Sequence, residues 1–101
     1  MSKILFVDDV KRPEWFGLPE NTPRIENGFI AIDLWNDGNY DTLYLDNDLG
    51  LGIEGYDVLV KIIESGKLPK KVVCISNNII ARNRMCNLCY DFNIKFDSKG
   101  I

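Results

Sequence analysis

Residues 44–50 read YLDNDLG, in which a short apolar strand ends at a carboxylate and continues into a glycine-containing loop. Residues 55–59, GYDVL, then begin a helix. The start of the chain repeats this arrangement, since KILFV at residues 3–7 runs directly into Asp8 and Asp9. If the two strands are neighbours in a parallel sheet, their carboxylates meet at the edge where open α/β sheets bind ligands. Such a cluster holds a hard divalent cation, and Mg²⁺ is the expected ion.

Length and composition restrict the classes of protein that need to be considered. A chain of 101 residues is one domain, residues 1–101, with one modest core. The net charge of −3 argues against a general DNA-binding protein, which normally presents a basic face. No apolar run approaches the length of a membrane span and no signal peptide precedes Lys3, so we expect a cytoplasmic protein without membrane partners. The three cysteines are odd in number and the chain has no histidine, which favours buried free thiols over a zinc site.

The pattern of apolar residues predicts strands that alternate with helices. Short apolar runs predict strands at residues 3–8, 41–46 and 72–76, a weaker strand at 93–96 and a very short one at 24–25. Helical periodicity predicts three helices, with stripes formed by Ile30, Ala31, Leu34 and Trp35, by Val58, Leu59, Ile62 and Ile63, and by Ile79, Ile80, Met85, Leu88 and Cys89. Strands that alternate with helices indicate right-handed βαβ units. We therefore expect an open α/β fold, a parallel sheet with flanking helices.

One segment departs from this alternation. Between Asp9 and Arg24, prolines at positions 13, 19 and 23 leave little room for a regular helix. We expect a structured proline-rich loop in place of the first crossover helix, with Trp15 and Phe16 packed onto the sheet. The chain stops at Ile101, directly after the last predicted strand, so we expect no final helix.

The residues at the predicted strand tips suggest roles at a metal site. Asp9 and Asp46 are expected to bind Mg²⁺ (or Mn²⁺) directly, and Asp8 directly or through water. Asp48 either contacts the metal or caps the loop. Ser76 is expected to hydrogen-bond a phosphoryl oxygen, and Lys95 to neutralise its charge.

The chain resembles the receiver domain of response regulators over nearly its whole length, which implies a receiver- or flavodoxin-like open parallel sheet with flanking helices. Asp8 and Asp9 match the acidic pair of that family, and Asp46 with the glycine loop matches its phosphoacceptor aspartate. Ser76 matches the hydroxyl residue that ends the fourth strand. The segment 91–95, DFNIK, is similar to the one that carries the receiver lysine, which implies a catalytic role for Asp46, Ser76 and Lys95.

A closer resemblance is to the cyclic-phosphate processing receiver domains. The motifs that carry it are Asp8-Asp9 followed by Arg12-Pro13 and Trp15, then Leu45-Asp46-Asn47-Asp48-Leu49-Gly50, and then Ile75-Ser76-Asn77-Asn78 with Arg82 and Met85. The resemblance implies a small phosphorylated ligand, a nucleotide or an RNA end. It assigns ligand or phosphate contacts to five residues, Ser76, Asn78, Arg82, Arg12 and Asn47. Asn78 is open to a second interpretation as a helix cap, and Arg82 to one as a solvent-facing residue.

Asn47 and Ile75 stand where the pattern of that group has histidines, which are the usual proton carriers near neutral pH. Three functions therefore stay open at this point. The first is a metal-dependent enzyme that processes a nucleotide or cyclic phosphate. The second is a non-catalytic module that binds a ligand or a protein partner. The third is a signalling receiver with Asp46 as phosphoacceptor. A composition rich in Asn, Ile and Lys is typical of a bacteriophage or a low-GC bacterium.

Overall fold

Five parallel strands form one sheet in the computed structural model, which describes residues 3–100. In chain order the strands are β1 Ile4–Val7, β2 Arg24–Ile25, β3 Thr42–Leu45, β4 Lys71–Cys74 and β5 Lys95–Ser98. Their order across the sheet is β2-β1-β3-β4-β5, and every neighbouring pair is parallel. This is the strand order of flavodoxin-like folds, so the predicted fold class is confirmed.

Three helices connect the strands and pack on the same face of the sheet. They are α1 Gly28–Asp37, α2 Gly55–Glu64 and α3 Ile79–Asp91. Their buried residues join one core cluster with alternate residues of β1, β3 and β4, among them Leu5, Leu43 and Val72. The predicted helices are thus confirmed, but the stripe predicted for α1 is wrong at Ile30, which is 51% exposed. No helix within residues 3–100 is both long and apolar enough to cross a membrane.

The stripe predicted for α3 is wrong at its start, because Ile79 and Ile80 are 61% and 74% exposed. The buried residues of this helix are Ala81, Met85 and Cys89, which follow one another at intervals of four. Residues at that spacing share one side of a helix, and the two isoleucines do not belong to the series. Both lie in the first turn, directly after the loop that follows β4.

The opposite face of the sheet is covered by the proline-rich segment. As predicted, this segment lacks a full crossover helix and contains only a short 3-10 helix, Pro13–Phe16. The Phe16 ring packs 5.7 Å from Phe6 and 6.4 Å from Tyr44, measured between ring centroids. Trp15, expected to pack with it, is instead 54% exposed. In a 3-10 helix the residues i and i+3 lie on one side, so Pro13 and Phe16 face the sheet and Trp15 points away.

β5 begins two residues later than predicted because the end of α3 uses the preceding residues. Asn93 has a φ of 57°, the left-handed conformation that often ends a helix. Its N–H donates to the carbonyl of Tyr90, and the N–H of Ile94 donates to that of Cys89. This pair of bonds is a Schellman motif, which places Asn93 and Ile94 in the helix cap and starts the strand at Lys95. The expectation about Ile101 and a missing final helix lies outside the described residues.

Candidate functional site

Three carboxylates meet where β1 and β3 end. Asp8 and Asp9 follow β1, and Asp46 follows β3, with Val7 paired to Leu45 in register. One oxygen from each carboxylate can be chosen so that all three lie within 4.8 Å of one another. The predicted meeting of these side chains at one edge is confirmed.

Asp8 is the most deeply buried member, with an exposed fraction of 0%. Its Oδ1 accepts hydrogen bonds from the backbone N–H of Val10 at 2.8 Å and of Lys11 at 3.0 Å. Its Oδ2 is buried and has no hydrogen-bond partner among the described residues. A buried carboxylate oxygen without a partner is costly, and a cation beside it removes that cost. The cluster of hard oxygen donors therefore fits Mg²⁺ or a similar ion.

Asp46 is also buried, with 6% of its surface exposed. Burial first, and then the charge of Asp8, raise the pKa of the Asp46 carboxyl to about 6. The charge of Lys11 and the backbone N–H of Asn47 act in the opposite direction. The backbone at Asp46 is closely surrounded, because a Cβ at Gly55 would lie 1.8 Å from its carbonyl oxygen. Glycine is therefore required at position 55 to let α2 start against this strand tip.

Lys11 is a residue of the site that sequence reasoning missed. Its Nζ lies 3.6 Å from Asp8 Oδ2 and 3.7 Å from Asp46 Oδ1, so the ammonium faces both buried carboxylates. The three-residue spacing from Asp8 to Lys11 is a sequence signal for this contact. An aspartate side chain can accept the N–H groups two and three residues later, and the chain then turns back on itself. That turn brings the third residue after Asp8 towards the cluster.

Two other residues of the 44–50 motif do not join the cluster. Asn47, predicted to contact phosphate, is only 2% exposed, and its Oδ1 accepts the backbone N–H of Tyr56 at 3.1 Å. Its side-chain oxygen thus fastens the loop to the start of α2, and the predicted contact of Asn47 with phosphate stays a prediction. Asp48, predicted as a metal ligand, is exposed and lies outside the group of three carboxylates. It acts on the site only as a nearby charge that adds to the raised pKa of Asp46.

Residues after β4 lie at the same edge of the sheet. Ser76 is buried, and its Oγ accepts the N–H of Asn78 at 3.0 Å. Asn78 is the N-cap of α3, since its Oδ1 accepts the N–H of Ala81 at 3.1 Å. This supports the capping interpretation of Asn78. Arg82 is half-buried one turn later and forms no ion pair within residues 3–100. Arg12 is exposed and directly precedes the 3-10 helix.

The structure corrects the position of the predicted phosphate-binding lysine. Lys95 begins β5 and pairs with Lys71, which begins β4, so both lie at the amino edge of the sheet, opposite the acidic cluster. The cause is the helix cap at Asn93 and Ile94, which moves the strand two residues along the chain. Lys99, not Lys95, is the lysine that follows β5 at the carboxyl edge of the sheet. Its backbone N–H donates to the carbonyl of Cys74 at 2.8 Å.

The three cysteines do not form a site together. Cys74 and Cys89 are buried and Cys86 is exposed, and all three are free thiols. Burial raises the pKa of both buried thiols, that of Cys89 to about 12. They therefore behave as neutral core residues near neutral pH.

Two solved structures have a fold similar to that of this chain. The solved structure of the N-terminal domain of an uncharacterized protein from Wolinella succinogenes is similar, with a TM-score of 0.73 and 19% identity, covering 99% of this chain and 82% of the other. A fusion protein containing a trimeric coiled coil from yeast gives a TM-score of 0.68 and 21% identity, covering 97% of this chain and 68% of the other. At these identities the likeness concerns the fold alone. No curated protein matches the sequence.

The sequence profile of one family matches most of the chain. It is described as the Cyclic-phosphate processing Receiver domain, and it matches residues 3–91. The matched range contains all three carboxylates of the cluster, together with Lys11 and Ser76. The chain belongs to the family of cyclic-phosphate processing receiver domains.

Proposed function

We propose that this receiver domain binds Mg²⁺ or Mn²⁺ at Asp8, Asp9 and Asp46 and uses the ion to bind and process a nucleotide or another ligand with a cyclic phosphate. The observation that carries the proposal is the buried Oδ2 of Asp8, which lacks a hydrogen-bond partner beside two further carboxylates. The description of the family supports the cyclic phosphate as the reacting group.

The residues at the carboxyl edge of the sheet have distinct roles in this proposal. The three carboxylates would hold the ion, which would supply positive charge that polarises a phosphoryl oxygen. Ser76, Arg82 and Lys99 are the polar and cationic groups that follow β4 and β5 at this edge, and they are candidates for contacts to the remaining phosphate oxygens. Arg12, which is exposed directly before the 3-10 helix, is a candidate for contacts with the outer part of the ligand.

The complete lack of histidine favours a second candidate, a module that binds the same ligand without turning it over. Histidine is the side chain that most often transfers protons near neutral pH, so its absence removes the usual acid and base of hydrolysis. In that case the domain would bind a nucleotide or an RNA end, or present it to a protein partner. A third candidate, transfer of a phosphoryl group to Asp46, rests on the family resemblance to response regulators.

An activity assay distinguishes these candidates. The protein is incubated with Mg²⁺ or Mn²⁺ and with cyclic mononucleotides, cyclic dinucleotides or RNA that ends in a cyclic phosphate, and products are separated by chromatography. Asp46→Asn removes one proposed ligand of the ion, and Asp33→Asn, which changes an exposed carboxylate on α1, is the matched control. We expect turnover by the wild type and by D33N but not by D46N.

Other outcomes of the assay have definite meanings. Binding measured by calorimetry without turnover would favour the second candidate. A mass increase of one phosphoryl group after incubation with acetyl phosphate, absent in D46N, would favour the third. Neither binding nor turnover of any of these ligands, with D46N indistinguishable from wild type, would contradict the proposal.

A further inference from the structure

Lys11 is the only cationic side chain within residues 3–100 that forms an ion pair with the acidic cluster. Its backbone is fixed at the site, because its N–H donates to Asp8 Oδ1 at 3.0 Å. Its side chain is 18% exposed, so the ammonium lies between the buried carboxylates and the solvent. The backbone of Lys11 is thus hydrogen-bonded to the cluster, while its side chain is partly exposed to solvent.

The contacts of the ammonium are loose. Nζ lies 3.6 Å from Asp8 Oδ2 and 3.7 Å from Asp46 Oδ1, whereas a charge-assisted hydrogen bond to a carboxylate is about 2.7–2.9 Å long. Consistent with this, Asp8 Oδ2 has no hydrogen-bond partner within the described chain. The ammonium therefore lowers the electrostatic cost of the two buried carboxylates without saturating their oxygens.

A divalent ion would compete with this ammonium for the same two oxygens. Mg²⁺ binds carboxylate oxygens at about 2.0–2.1 Å, much closer than the ammonium approaches. An ammonium only a few ångströms from a divalent ion would be repelled strongly in a partly buried site. The lysine side chain has a flexible four-carbon stem, so its charged end can leave while its backbone stays bound to Asp8.

From these contacts we infer that Lys11 is an internal counter-ion that a divalent metal displaces from Asp8 and Asp46, and that the displaced ammonium then binds the phosphate of the ligand. The inference rests on the proposed metal site, and it adds that Lys11 regulates the binding of metal and phosphate at that site. It predicts that one substitution has opposite effects on two ligands. Without Lys11 the metal binds more tightly, because it has no competitor, and the phosphate binds more weakly, because it loses a cation.

The test compares Lys11→Met with Lys70→Met, in which an exposed lysine at the amino edge of the sheet is lost with the same change of net charge. Calorimetry measures the affinity for Mn²⁺ and Mg²⁺ without any phosphate, and then the affinity for inorganic phosphate at saturating metal. We expect K11M to bind metal roughly threefold to tenfold more tightly than K70M, as for the loss of a partly buried ion pair. We expect its affinity for phosphate to fall by about the same factor.

The possible results separate this inference from the proposed function. Equal or weaker metal binding by K11M, with clear binding by wild type, would overturn the role of Lys11 and leave the metal site intact. Tighter metal binding with unchanged phosphate affinity would overturn the second half of the inference. If neither variant nor the wild type binds a divalent ion, the metal site itself is wrong and the inference falls with it.

Discussion

Two loops bring carboxylates to the same point, and they do so by different means. The β1 loop, residues 8–12, buries Asp8 completely and supplies two backbone N–H groups to its Oδ1 from within the loop. The β3 loop, residues 46–54, is fastened instead to α2, through the Asn47 side chain and through the contact between Asp46 and Gly55. Each loop follows an apolar strand and begins with an aspartate, so the same local pattern places two carboxylates in different environments.

The difference shows what decides the properties of a carboxylate at a strand tip. Asp8 receives donors from the next turn of its own chain, and Lys11 in that turn also reaches Asp46. For Asp46, burial and the charge of Asp8 outweigh the donors it has, and its pKa rises to about 6. The Asp8 side chain is therefore held by donors of its own loop, whereas the β3 loop is held by contacts with α2, the helix that follows it.

The largest effect is expected for Gly55→Ala. A Cβ at this position would lie 1.8 Å from the carbonyl oxygen of Asp46, a backbone atom that cannot move without shifting β3. We expect the free energy of unfolding to fall by about 3 kcal/mol or more, measured by urea denaturation. Gly52→Ala, in the same loop, is the control: its φ is 79°, but no atom lies within 4 Å of its Cβ, so its cost should be only about 1–2 kcal/mol. Equal effects of the two substitutions would show that the contact with Asp46 is unimportant.

The next effect concerns pH. Because the pKa of Asp46 is raised from 3.8 to about 6, the folded protein binds a proton more tightly than the unfolded chain does. The contribution of this group to stability is therefore largest below about pH 4 and is lost as the pH rises to about 6, an effect on the order of 2–3 kcal/mol in metal-free protein. Urea denaturation at several pH values measures it, with Asp33→Asn as control. In Asp46→Asn this fall should be absent; if D46N shows the same fall, the raised pKa belongs to another group.

A smaller effect is expected for Asn47→Ala, which tests the attachment of the β3 loop to α2. The substitution removes the acceptor of the Tyr56 N–H and leaves that donor without its partner. We expect a loss of about 1–2 kcal/mol of unfolding free energy. Asn87→Ala, at an exposed position within α3, should change stability by less than about 0.5 kcal/mol. A neutral N47A would show that this hydrogen bond does not hold the β3 loop to α2.

The sequence predicted the parts of this molecule that depend on local pattern. The strand tips at Asp8 and Asp46 followed from apolar runs that end in carboxylates, and the parallel α/β sheet followed from the alternation of strands with helices. Phe16 and Trp15 show where pattern stops being sufficient, because both are aromatic and adjacent, and only the turn of the 3-10 helix decides which one is buried.

Lys95 and Lys11 show a second reason why the sequence pattern does not predict the whole site. The apolar pattern of residues 93–96 places Lys95 near the strand end, but the left-handed Asn93 ends α3 there and shifts the strand. For Lys11, the turn at Asp8 predicts only proximity to Asp8, because its contact with Asp46 joins two loops that lie far apart in sequence. Such contacts depend on three-dimensional placement, which a pattern of residue types does not contain.

The smallest predicted effect tests whether the two loops form one site. Adding Mg²⁺ at pH 7 to about ten times its dissociation constant should raise the free energy of unfolding by about 1.4 kcal/mol, because the ion binds only the folded protein. Asp9→Asn alters the β1 side of the cluster and Asp46→Asn the β3 side, so each should remove most of the increase, measured as a change in melting temperature. Asp33→Asn should retain it. If D9N kept the full increase while D46N lost it, Asp9 would have no part in holding the ion, and the contribution of the β1 loop would be reduced to Asp8.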